Sequence, residues 1–391
     1  MKNYIPLYPP NIPKKSIYYL KKCVDENYVS TGGELIKLFE KKISKFTKSK
    51  YTVALNSGTS ALHLALKVVG VKRQDEVIVP TLTFVATVNA VLYNNCSPIF
   101  MDCDNYYNID CTKVINFLEK KTVFKNNFTF NKKTKKRIYA IIATHVWGNA
   151  ANLLELAKIC KKKNIKLIED ASESLGTFYK KKKNHTGTIG DIGVLSFNAN
   201  KIITTGCGGM LLTKNKKYYK LTKYFSSQAK DQDVFFIHNN VGYNYGMTNI
   251  SAALGIEQMN TINKILKKKE KIKNLYKKFF KKKKRIHFID GPNYSKNNNW
   301  MNIVQIDYQK KKLSIKKIID YFEKKQVQLR PVWYLNHKQK PFRLFESYKI
   351  KNATKLLKNS LCIPSSSNLS LKEIKRISSI FNQILWKKKF Y

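Results

Sequence analysis

The sequence predicts an α/β protein with a large domain on a mostly parallel sheet and a smaller α+β domain after it. Between residues 50 and 230, short apolar runs alternate with segments of helical periodicity, the pattern of strands joined by crossover helices. After residue 250 a long helix with charged faces begins. The 391 residues, 43% of them hydrophobic, suffice for two cores. We therefore expect domains at 1–250 and 251–391.

The individual elements follow in chain order. Two amphipathic helices, Ile17–Cys23 and Leu35–Phe46, open the chain. The predicted strands of the sheet are Tyr51–Leu55, Glu76–Val79, Pro98–Met101, Ala140–Thr144, Lys166–Glu169, Val194–Phe197 and Gly209–Thr213. The predicted helices between them are Ala61–Val69, Phe84–Tyr93 and Leu153–Lys163. Because ligands of such sheets bind at the carboxyl ends of strands, we expect functional residues directly after these strands.

The remaining segments are less regular. Residues Lys120–Arg137 are polar and weakly patterned, which predicts a surface excursion. A helix from about Ser251 to Lys281, a strand at Asn302–Asp307 and a helix at Ile315–Lys325 suit the smaller α+β domain.

The net charge of +49 raises the question of a nucleic-acid partner. The lysines are spread along the chain in runs such as Lys132–Lys136, Lys180–Lys183, Lys267–Lys271 and Lys277–Lys284. Lys, Asn and Ile dominate throughout, which indicates a bias of the coding sequence. No zinc-finger spacing or RNP-type aromatic motif is present. We expect weak, salt-sensitive binding to polyanions and no specific nucleic-acid partner.

Cysteine usage and hydropathy favour a cytoplasmic protein. The seven cysteines are scattered and lack CxxC spacing, so neither a zinc site nor a disulfide scaffold is expected. The opening residues Met1–Pro6 lack the apolar segment of a secretory signal. No apolar stretch approaches the length of a membrane span. We therefore predict no metal and no membrane partner.

Lys201 differs from the other basic residues by its surroundings. It follows a predicted strand in Ser196-Phe-Asn-Ala-Asn-Lys201 and precedes a turn with Gly206, Gly208 and Gly209. Apolar residues flank this segment on both sides, which disfavours the alternative of a surface lysine before a hairpin. An anchored, partly desolvated lysine can attack a carbonyl group as a neutral amine. The segment therefore suits a Schiff-base enzyme.

Two acids follow the predicted strand Lys166–Glu169. Asp170 lies where a pyridoxal phosphate enzyme needs a carboxylate that keeps the ring nitrogen of its cofactor protonated. Glu173 is close enough to reach the phenolic oxygen of the same ring. The alternative is a structural ion pair between one of these acids and a lysine.

A phosphate site and an aromatic wall are also indicated. The run Asn56–Ser60 ends a strand, turns at a glycine and starts a helix with Thr59 and Ser60. Free N–H groups and hydroxyls at a helix start attract anions, and Ser196 adds a further hydroxyl. Phe84, after the second predicted strand, can stack on a flat ring. Alone, these residues could equally be an ordinary N-cap and a core aromatic.

Taken together, these motifs resemble the DegT/StrS family of PLP-dependent sugar aminotransferases over nearly the whole chain. The carrying segments are Asn56–Leu66, Asp75–Val79, Thr83–Asn89, His145–Gly148, Glu169–Gly176, Gly190–Asp191, Ser196–Gly209, Gly242–Gly255 and Leu361–Pro364. The resemblance implies the type I, aspartate aminotransferase-like fold. Its large domain has a mixed, mostly parallel seven-stranded sheet, and a smaller C-terminal α+β domain follows.

The resemblance also implies roles for the candidate residues. Lys201 would be the Schiff-base lysine and proton carrier, and Asp170 would pair with the pyridine nitrogen. Glu173 would contact the ring oxygen and Phe84 would stack on the ring. The phosphate would be held by Thr59, Ser60 and Ser196.

In this family the active site is built at a dimer interface, so a homodimer with shared active sites is implied. Asn244 would reach the phosphate in the partner subunit, and His145 would lie near the cofactor. Two positions depart from the family pattern. Gly246 stands where the family commonly has Arg, and Cys207 stands where it usually has Gly or Glu.

Among subfamilies, the chain most resembles the UDP-sugar 4-aminotransferases of bacillosamine and legionaminic acid pathways. The carriers are Asn149–Asn152, Asn198–Met210, Ser227–Asp231 and Arg330–Trp333. The implied reaction moves an amino group from glutamate to the 4-keto group of a UDP-linked 6-deoxy sugar, for surface polysaccharide synthesis. The alternatives are a 3-keto sugar aminotransferase, a PLP sugar dehydratase of the same fold and a non-catalytic PLP-binding regulator. Dehydratases resembling this family have His in place of the lysine, so Lys201 disfavours them.

Overall fold

The computed structural model describes residues 3–386 except 182, 233, 282, 284 and 308–313. Lys182, Lys282 and Lys284 of the predicted lysine runs therefore lie outside the described residues, as do residues 1–2 of the first predicted domain and 387–391 of the second. The helices are α1 (Ser16–Asp25), α2 (Glu34–Thr47), α3 (Gly58–Val69), α4 (Val85–Tyr93), α5 (Cys111–Lys120), α6 (Leu154–Lys162), α7 (Lys216–Ser226), α8 (Asn249–Phe280), α9 (Ile315–Lys324), α10 (Asn352–Asn359) and α11 (Leu371–Trp386). Two short 3₁₀ helices lie at Val146–Gly148 and Asn336–Lys338.

The strands form a large sheet, a smaller one and two short pairs. They are β1 (Tyr51–Leu55), β2 (Glu76–Pro80), β3 (Ser97–Met101), β4 (Thr122–Lys125), β5 (Phe128–Asn131), β6 (Ile138–Thr144), β7 (Lys166–Asp170), β8 (Phe178–Tyr179), β9 (Ile192–Ser196), β10 (Gly209–Thr213), β11 (Ile286–Phe288), β12 (Ser295–Lys296), β13 (Asn302–Ile306), β14 (Arg330–Pro331), β15 (Ser347–Tyr348) and β16 (Ser360–Ile363).

The large sheet has the strand order β1-β10-β9-β7-β6-β2-β3-β15. β10 runs antiparallel to both of its neighbours, and the pairs from β9 to β15 are parallel. Strand β2 is buried at every position, because crossover helices cover both faces of such a sheet. The mixed, mostly parallel architecture expected from the sequence is confirmed.

The sheet has one strand more than the seven expected. Residues Ser347 and Tyr348 pair in parallel with Phe100 and Met101 at the edge of the sheet. Two residues carry no periodicity, so the sequence could not reveal this strand. Because the strand comes from beyond residue 250, the second part of the chain contributes to the first sheet, and the domain boundary at 250 stays a prediction.

The segment predicted as an irregular excursion is a β-hairpin. Strands β4 and β5 pair antiparallel, with Lys125 opposite Phe128. Asn126 and Asn127 connect them with φ angles of 50° and 61°. Two successive residues with positive φ form the tight turn that matches strand twist, and asparagine tolerates it. The Asn-Asn pair was the signal for this hairpin.

A second core lies under the smaller sheet, whose order is β11-β13-β16-β14. It is formed by α8, α9 and α11 with Ile272, Phe322 and Phe381 among its buried residues. In the part of the chain that the structure describes, no helix combines the length and the apolar character that a membrane crossing requires.

Candidate active site

A cavity of about 790 Å³ opens at the carboxyl ends of the central parallel strands. Six of the eight residues predicted from the sequence line it: Thr59, Phe84, Asp170, Glu173, Ser196 and Lys201. Ser60 and Asn244 do not. The rule that ligands bind where parallel strands end therefore predicted the position of this cavity, and the structure brings chemically different groups together around it.

Lys201 enters the cavity from the turn between β9 and β10, where Ser196 pairs with Gly209. Its side chain is 13% exposed, and its Nζ lies 3.5 Å from Oε1 of Glu173. The same Nζ lies 4.2 Å from the ring centroid of Trp300. The alternative of a free surface lysine is therefore wrong, because the amine is enclosed between a carboxylate and an aromatic face.

Asp170, the last residue of β7, is buried. Its Oδ2 accepts a hydrogen bond of 2.7 Å from the Thr87 hydroxyl, and its Oδ1 accepts one of 3.2 Å from the Ser172 N–H. Among the described residues, no cationic side chain lies within 4.0 Å of this carboxylate. The alternative of a structural ion pair therefore does not apply to Asp170, whose carboxylate is left to face a ligand.

Glu173 combines burial with two close partners. Its Oε2 accepts a hydrogen bond of 2.7 Å from the Trp147 N–H, and Lys201 lies beside its other oxygen. Burial raises the pKa of Glu173 to about 7, although the charge of Lys201 opposes the shift. Trp147 has a φ of 53°, a strained conformation for a bulky residue. The carboxylate thus helps to hold a strained turn next to the reactive amine.

The amino end of α3 also lines the cavity. Ser57 caps the helix by accepting the Ser60 N–H at 3.0 Å, while Gly58 and Thr59 line the cavity. A Cβ at Gly58 would lie 2.9 Å from Cβ of Ser196, so only glycine lets the helix start approach this serine. Backbone N–H groups at a helix start without partners in the helix suit an anion.

Ser60 lies beside this end rather than in it. Its hydroxyl donates a hydrogen bond of 2.7 Å to Oδ1 of Asn56 and lies 2.8 Å from the Ser57 hydroxyl. The hydroxyl therefore supports the cap of α3 in this arrangement. Its predicted contact with phosphate stays a prediction.

Aromatic rings form one wall. Phe84 is 55% exposed, so it is not the core residue that an isolated aromatic usually is. Its ring centroid lies 6.1 Å from that of Trp333, which lies 5.1 Å from that of Trp147. This wall offers flat apolar surface to a ring-shaped ligand.

His145 lies behind the cavity, not in it. It is fully buried with Glu169. Its Nδ1 accepts the Ala151 N–H at 3.0 Å, so its Nε2 carries the proton and donates to Glu169 at 2.9 Å. Burial would raise the pKa of Glu169, but hydrogen bonds from His145 and from backbone N–H groups lower it overall. This pair fixes the strand end that presents Asp170.

Asn244 lies outside the cavity and is exposed. It lines a separate cleft of about 420 Å³ together with Thr31, Lys37 and Gly246. A Cβ at Gly246 would lie 3.1 Å from Cγ2 of Thr31. Gly246 therefore belongs to this cleft and not to the cavity that Lys201 lines.

The sequence did not assign the other wall of the cavity, which comes from scattered loops. Its residues include Leu7, Trp300, Met301, Arg330, Tyr334 and Cys362. One signal was present: three of the four tryptophans of the chain, Trp147, Trp300 and Trp333, line the cavity. Trp147 and Trp333 also lie in segments that carry the family resemblance, which could have indicated a ligand surface, whereas Trp300 lies outside those segments.

The sequence matches the DegT/DnrJ/EryC1/StrS aminotransferase family over residues 10–382. EpsN of Bacillus subtilis, whose name describes a pyridoxal phosphate-dependent aminotransferase, is 32% identical over 385 residues, covering 97% of this chain and 95% of EpsN. GDP-perosamine synthase of Escherichia coli O157:H7 is 32% identical over 380 residues, covering 97% and 98% of the two chains.

A third relative has a different nucleotide in its name. The UDP-4-amino-4,6-dideoxy-N-acetyl-beta-L-altrosamine transaminase of Campylobacter jejuni (strain 81-176) is 31% identical over 388 residues, covering 97% of each chain. Among solved structures, DesI with its TDP-sugar product superposes with a TM-score of 0.86 at 21% identity, covering 97% of this chain and 93% of DesI. The chain belongs to the DegT/DnrJ/EryC1/StrS aminotransferase family and is a pyridoxal phosphate-dependent enzyme.

Proposed function

We propose that this member of the family transfers an amino group from glutamate to the 4-keto group of a UDP-linked 6-deoxy sugar. The observation that carries the proposal is the placement of Lys201 between Glu173 and Trp300 in the cavity that Asp170 also lines. The Campylobacter transaminase named above supports UDP as the nucleotide. The perosamine synthase supports GDP, so the nucleotide is part of the test.

The residues of the cavity fit pyridoxal phosphate. Asp170 offers a buried carboxylate without a cationic partner in the described structure, which suits a protonated ring nitrogen. Gly58, Thr59 and Ser196 offer backbone and hydroxyl donors for a phosphate. The exposed face of Phe84 is available for stacking. A Cβ on Gly58 would enter this cradle, so the close approach depends on glycine.

Lys201, Asp170 and Glu173 have different roles in the proposed reaction. When bound, pyridoxal phosphate supplies an electron sink for the charge that develops as a proton leaves the amino donor. Lys201 would be the attachment point and the base that takes this proton from one carbon and returns it to another. Asp170, held by Thr87, would keep the proton on the ring nitrogen. Glu173 balances the charge of the Lys201 amine at 3.5 Å.

The substrate side of the cavity suits a sugar nucleotide. Trp147, Trp333 and Tyr334 supply aromatic surface, and Arg330 supplies a cation at the rim. Guanidinium groups bind phosphate through paired N–H donors. The overall positive charge also attracts a pyrophosphate to the protein.

The proposal is tested with full-length protein, glutamate and a panel of UDP-, GDP- and dTDP-linked 4-keto sugars. Mass spectrometry identifies any aminated product, and NMR locates the new amine. We expect a 4-amino sugar from a UDP-linked substrate. K201A should lose turnover, whereas K264A, which changes an exposed lysine of α8, should keep it.

Other outcomes of this experiment overturn the proposal. Wild-type turnover by K201A would remove Lys201 from the reaction. If 3-keto sugars are added to the panel, turnover of these in place of the 4-keto sugars would indicate the alternative regiochemistry. A product that lost oxygen from a 4-keto sugar without gaining nitrogen would indicate a dehydratase. Selective turnover of a GDP-linked sugar would support the proposed type of reaction but contradict UDP as the nucleotide.

We also propose that the active enzyme is a homodimer with shared sites. Asn244 is exposed and lies away from the cavity of its own chain. Val234, Phe235 and Phe236 are 79%, 75% and 69% exposed, and apolar side chains this exposed favour burial against another surface. The seven cysteines are all free thiols, which supports an enzyme of the reducing cytoplasm.

Shared sites predict complementation between two defective variants. K201A and N244A should each have low turnover alone. In a hybrid dimer, one site combines an intact Lys201 with an intact Asn244 from the other subunit. A 1:1 mixture, refolded or coexpressed, should recover about a quarter of the wild-type sites by random pairing. No recovery from mixtures that form dimers would contradict a role of Asn244 across the interface.

A further inference from the structure

Lys269 of α8 is fully buried although it carries an ionisable amine. Its Nζ donates hydrogen bonds to the carbonyl oxygen of Trp300, at 2.8 Å, and to that of Ser365. The same amine lies 4.5 Å from the ring centroid of Tyr8. Among the described residues, no carboxylate forms an ion pair with it, and burial lowers its pKa well below the usual range. Lys269 therefore ties together three segments that are distant in sequence.

Of the three residues that contact the Lys269 amine, Trp300 is the one that also contacts Lys201. Its backbone N–H donates to Oδ1 of Asn298 at 2.8 Å, and its carbonyl accepts from Lys269. Its indole N–H donates to the carbonyl of Asn200 at 2.6 Å, the residue directly before Lys201. The ring also lies 4.2 Å from the Lys201 Nζ. Trp300 therefore contacts both the backbone beside Lys201 and its amine.

We propose that Trp300 is a positioning residue for Lys201 and that Lys269 fixes Trp300 from behind the cavity. An aromatic face attracts a cationic amine and limits the rotation of a long, flexible side chain. Misplacement of a reacting group by about 1 Å costs about 100-fold in rate, so this support has a kinetic consequence. The inference rests on the role proposed for Lys201, and its test has a readout independent of turnover.

The first readout is the chemical reactivity of Lys201 in full-length protein from which bound cofactor has been removed. A small amine-reactive anhydride labels lysines at fixed pH, and peptide mass spectrometry gives the ratio of labelling at Lys201 to that at the exposed Lys158. Removal of the ring in W300L should raise this ratio by about two- to fivefold, the factor expected for loss of one cation–π contact. K269M should also raise the ratio of labelling at Lys201 to that at Lys158.

The second readout is turnover with the best substrate of the panel. W300L and K269M should lower kcat by about 10- to 100-fold, as expected for misplacement of a catalytic group, with a smaller change in KM. W300F keeps an aromatic face under the amine and should restore most of the protection of Lys201 from labelling. K268M, the same change at the exposed neighbouring lysine, should leave both readouts at the wild-type level.

The outcomes separate the inference from the proposed function. Wild-type labelling of Lys201 in W300L, or in folded K269M, would overturn the positioning role. If K269M does not fold, W300L and W300F still decide the role of the ring. If W300L and K269M alter the labelling of Lys201 but K201A keeps wild-type turnover, the proposed function is contradicted while the positioning of Lys201 by Trp300 is still supported.

Discussion

The two sides of the cavity are built in different ways. Asp170, Glu173, Ser196 and Lys201 lie within or directly after neighbouring strands of the large sheet, in short continuous motifs. The facing wall is assembled from the N-terminal segment, the segment before β13 and the loops around β14 and β16. The side proposed to hold the cofactor is therefore encoded locally, whereas the side proposed to hold the substrate depends on tertiary assembly. Changes on the first side should affect the chemical step. Changes on the second should affect substrate binding, except at Trp300, whose ring lies beside the Lys201 amine.

The largest effect is expected from D170N. The amide cannot hold a proton on the cofactor ring as a carboxylate does, so kcat should fall by about 100- to 10,000-fold, the range of a lost acid–base contribution. Steady-state kinetics with saturating substrate measure this loss. A KM effect without a kcat effect would break the assignment of Asp170 to the chemical side.

The next effect is a pH-dependent contribution of Glu173 to the free energy of unfolding. Its pKa is raised from 4.5 to about 7 in the folded protein, so its stabilising contribution is complete below 4.5. It is lost as the pH rises through about 7. We expect the wild-type free energy of unfolding to lose about 3 kcal/mol across this window relative to E173Q.

Denaturant unfolding of cofactor-free wild-type and E173Q protein at several pH values measures this difference. E173Q removes the titrating group and keeps the size of the side chain. Parallel pH profiles for the two proteins would show that Glu173 is not the buried acid described here.

A smaller effect, of a different kind, is expected from W333A on the facing wall. Loss of the indole removes aromatic surface next to Phe84 and Trp147. KM for the nucleotide sugar should rise by about tenfold or more, the value of a buried aromatic contact of about 1.5 kcal/mol. kcat should change little. The control W386F changes the tryptophan that is remote in sequence, and an equal KM effect there would argue against a local role.

An effect of similar size, on kcat instead of KM, is expected from T87V. The hydroxyl of Thr87 donates to Oδ2 of Asp170 at 2.7 Å, and valine keeps the shape of the side chain. Loss of one such bond should lower kcat by about tenfold, corresponding to about 1.5 kcal/mol. A loss as large as that of D170N would show that Thr87 does more than orient the carboxylate.

The same contrast explains what could be predicted from the sequence. Lys201 and Asp170 could be predicted as candidates because each lies at or shortly after the end of a strand, in a motif whose neighbours restrict its chemistry. Trp300 and Lys269 were missed because their role depends on contacts with Asn200 and Ser365, which lie about 100 residues away. Neither position carries a local pattern. The strand at Ser347–Tyr348 could not be predicted for the same reason, because a short edge strand is specified by the strand with which it pairs.

Ser60 and His145 show a second limit. Both lie within motifs that indicate the site, yet the hydroxyl of Ser60 supports the helix cap and His145 supports Glu169. A motif identifies the region of a site, and side-chain direction then distinguishes residues that line the cavity from those that pack beside or behind it. The structure supplies that direction.

The central claim is that Lys201, among 74 lysines and arginines, is the residue that bonds to the cofactor. The direct measurement adds pyridoxal phosphate to the full-length protein, fixes any lysine–cofactor bond by borohydride reduction and maps it by peptide mass spectrometry. We predict a single modified peptide, with the added mass on Lys201, and no modification at that position in K201A. Stoichiometric modification of a different lysine, with Lys201 unmodified, would contradict the account.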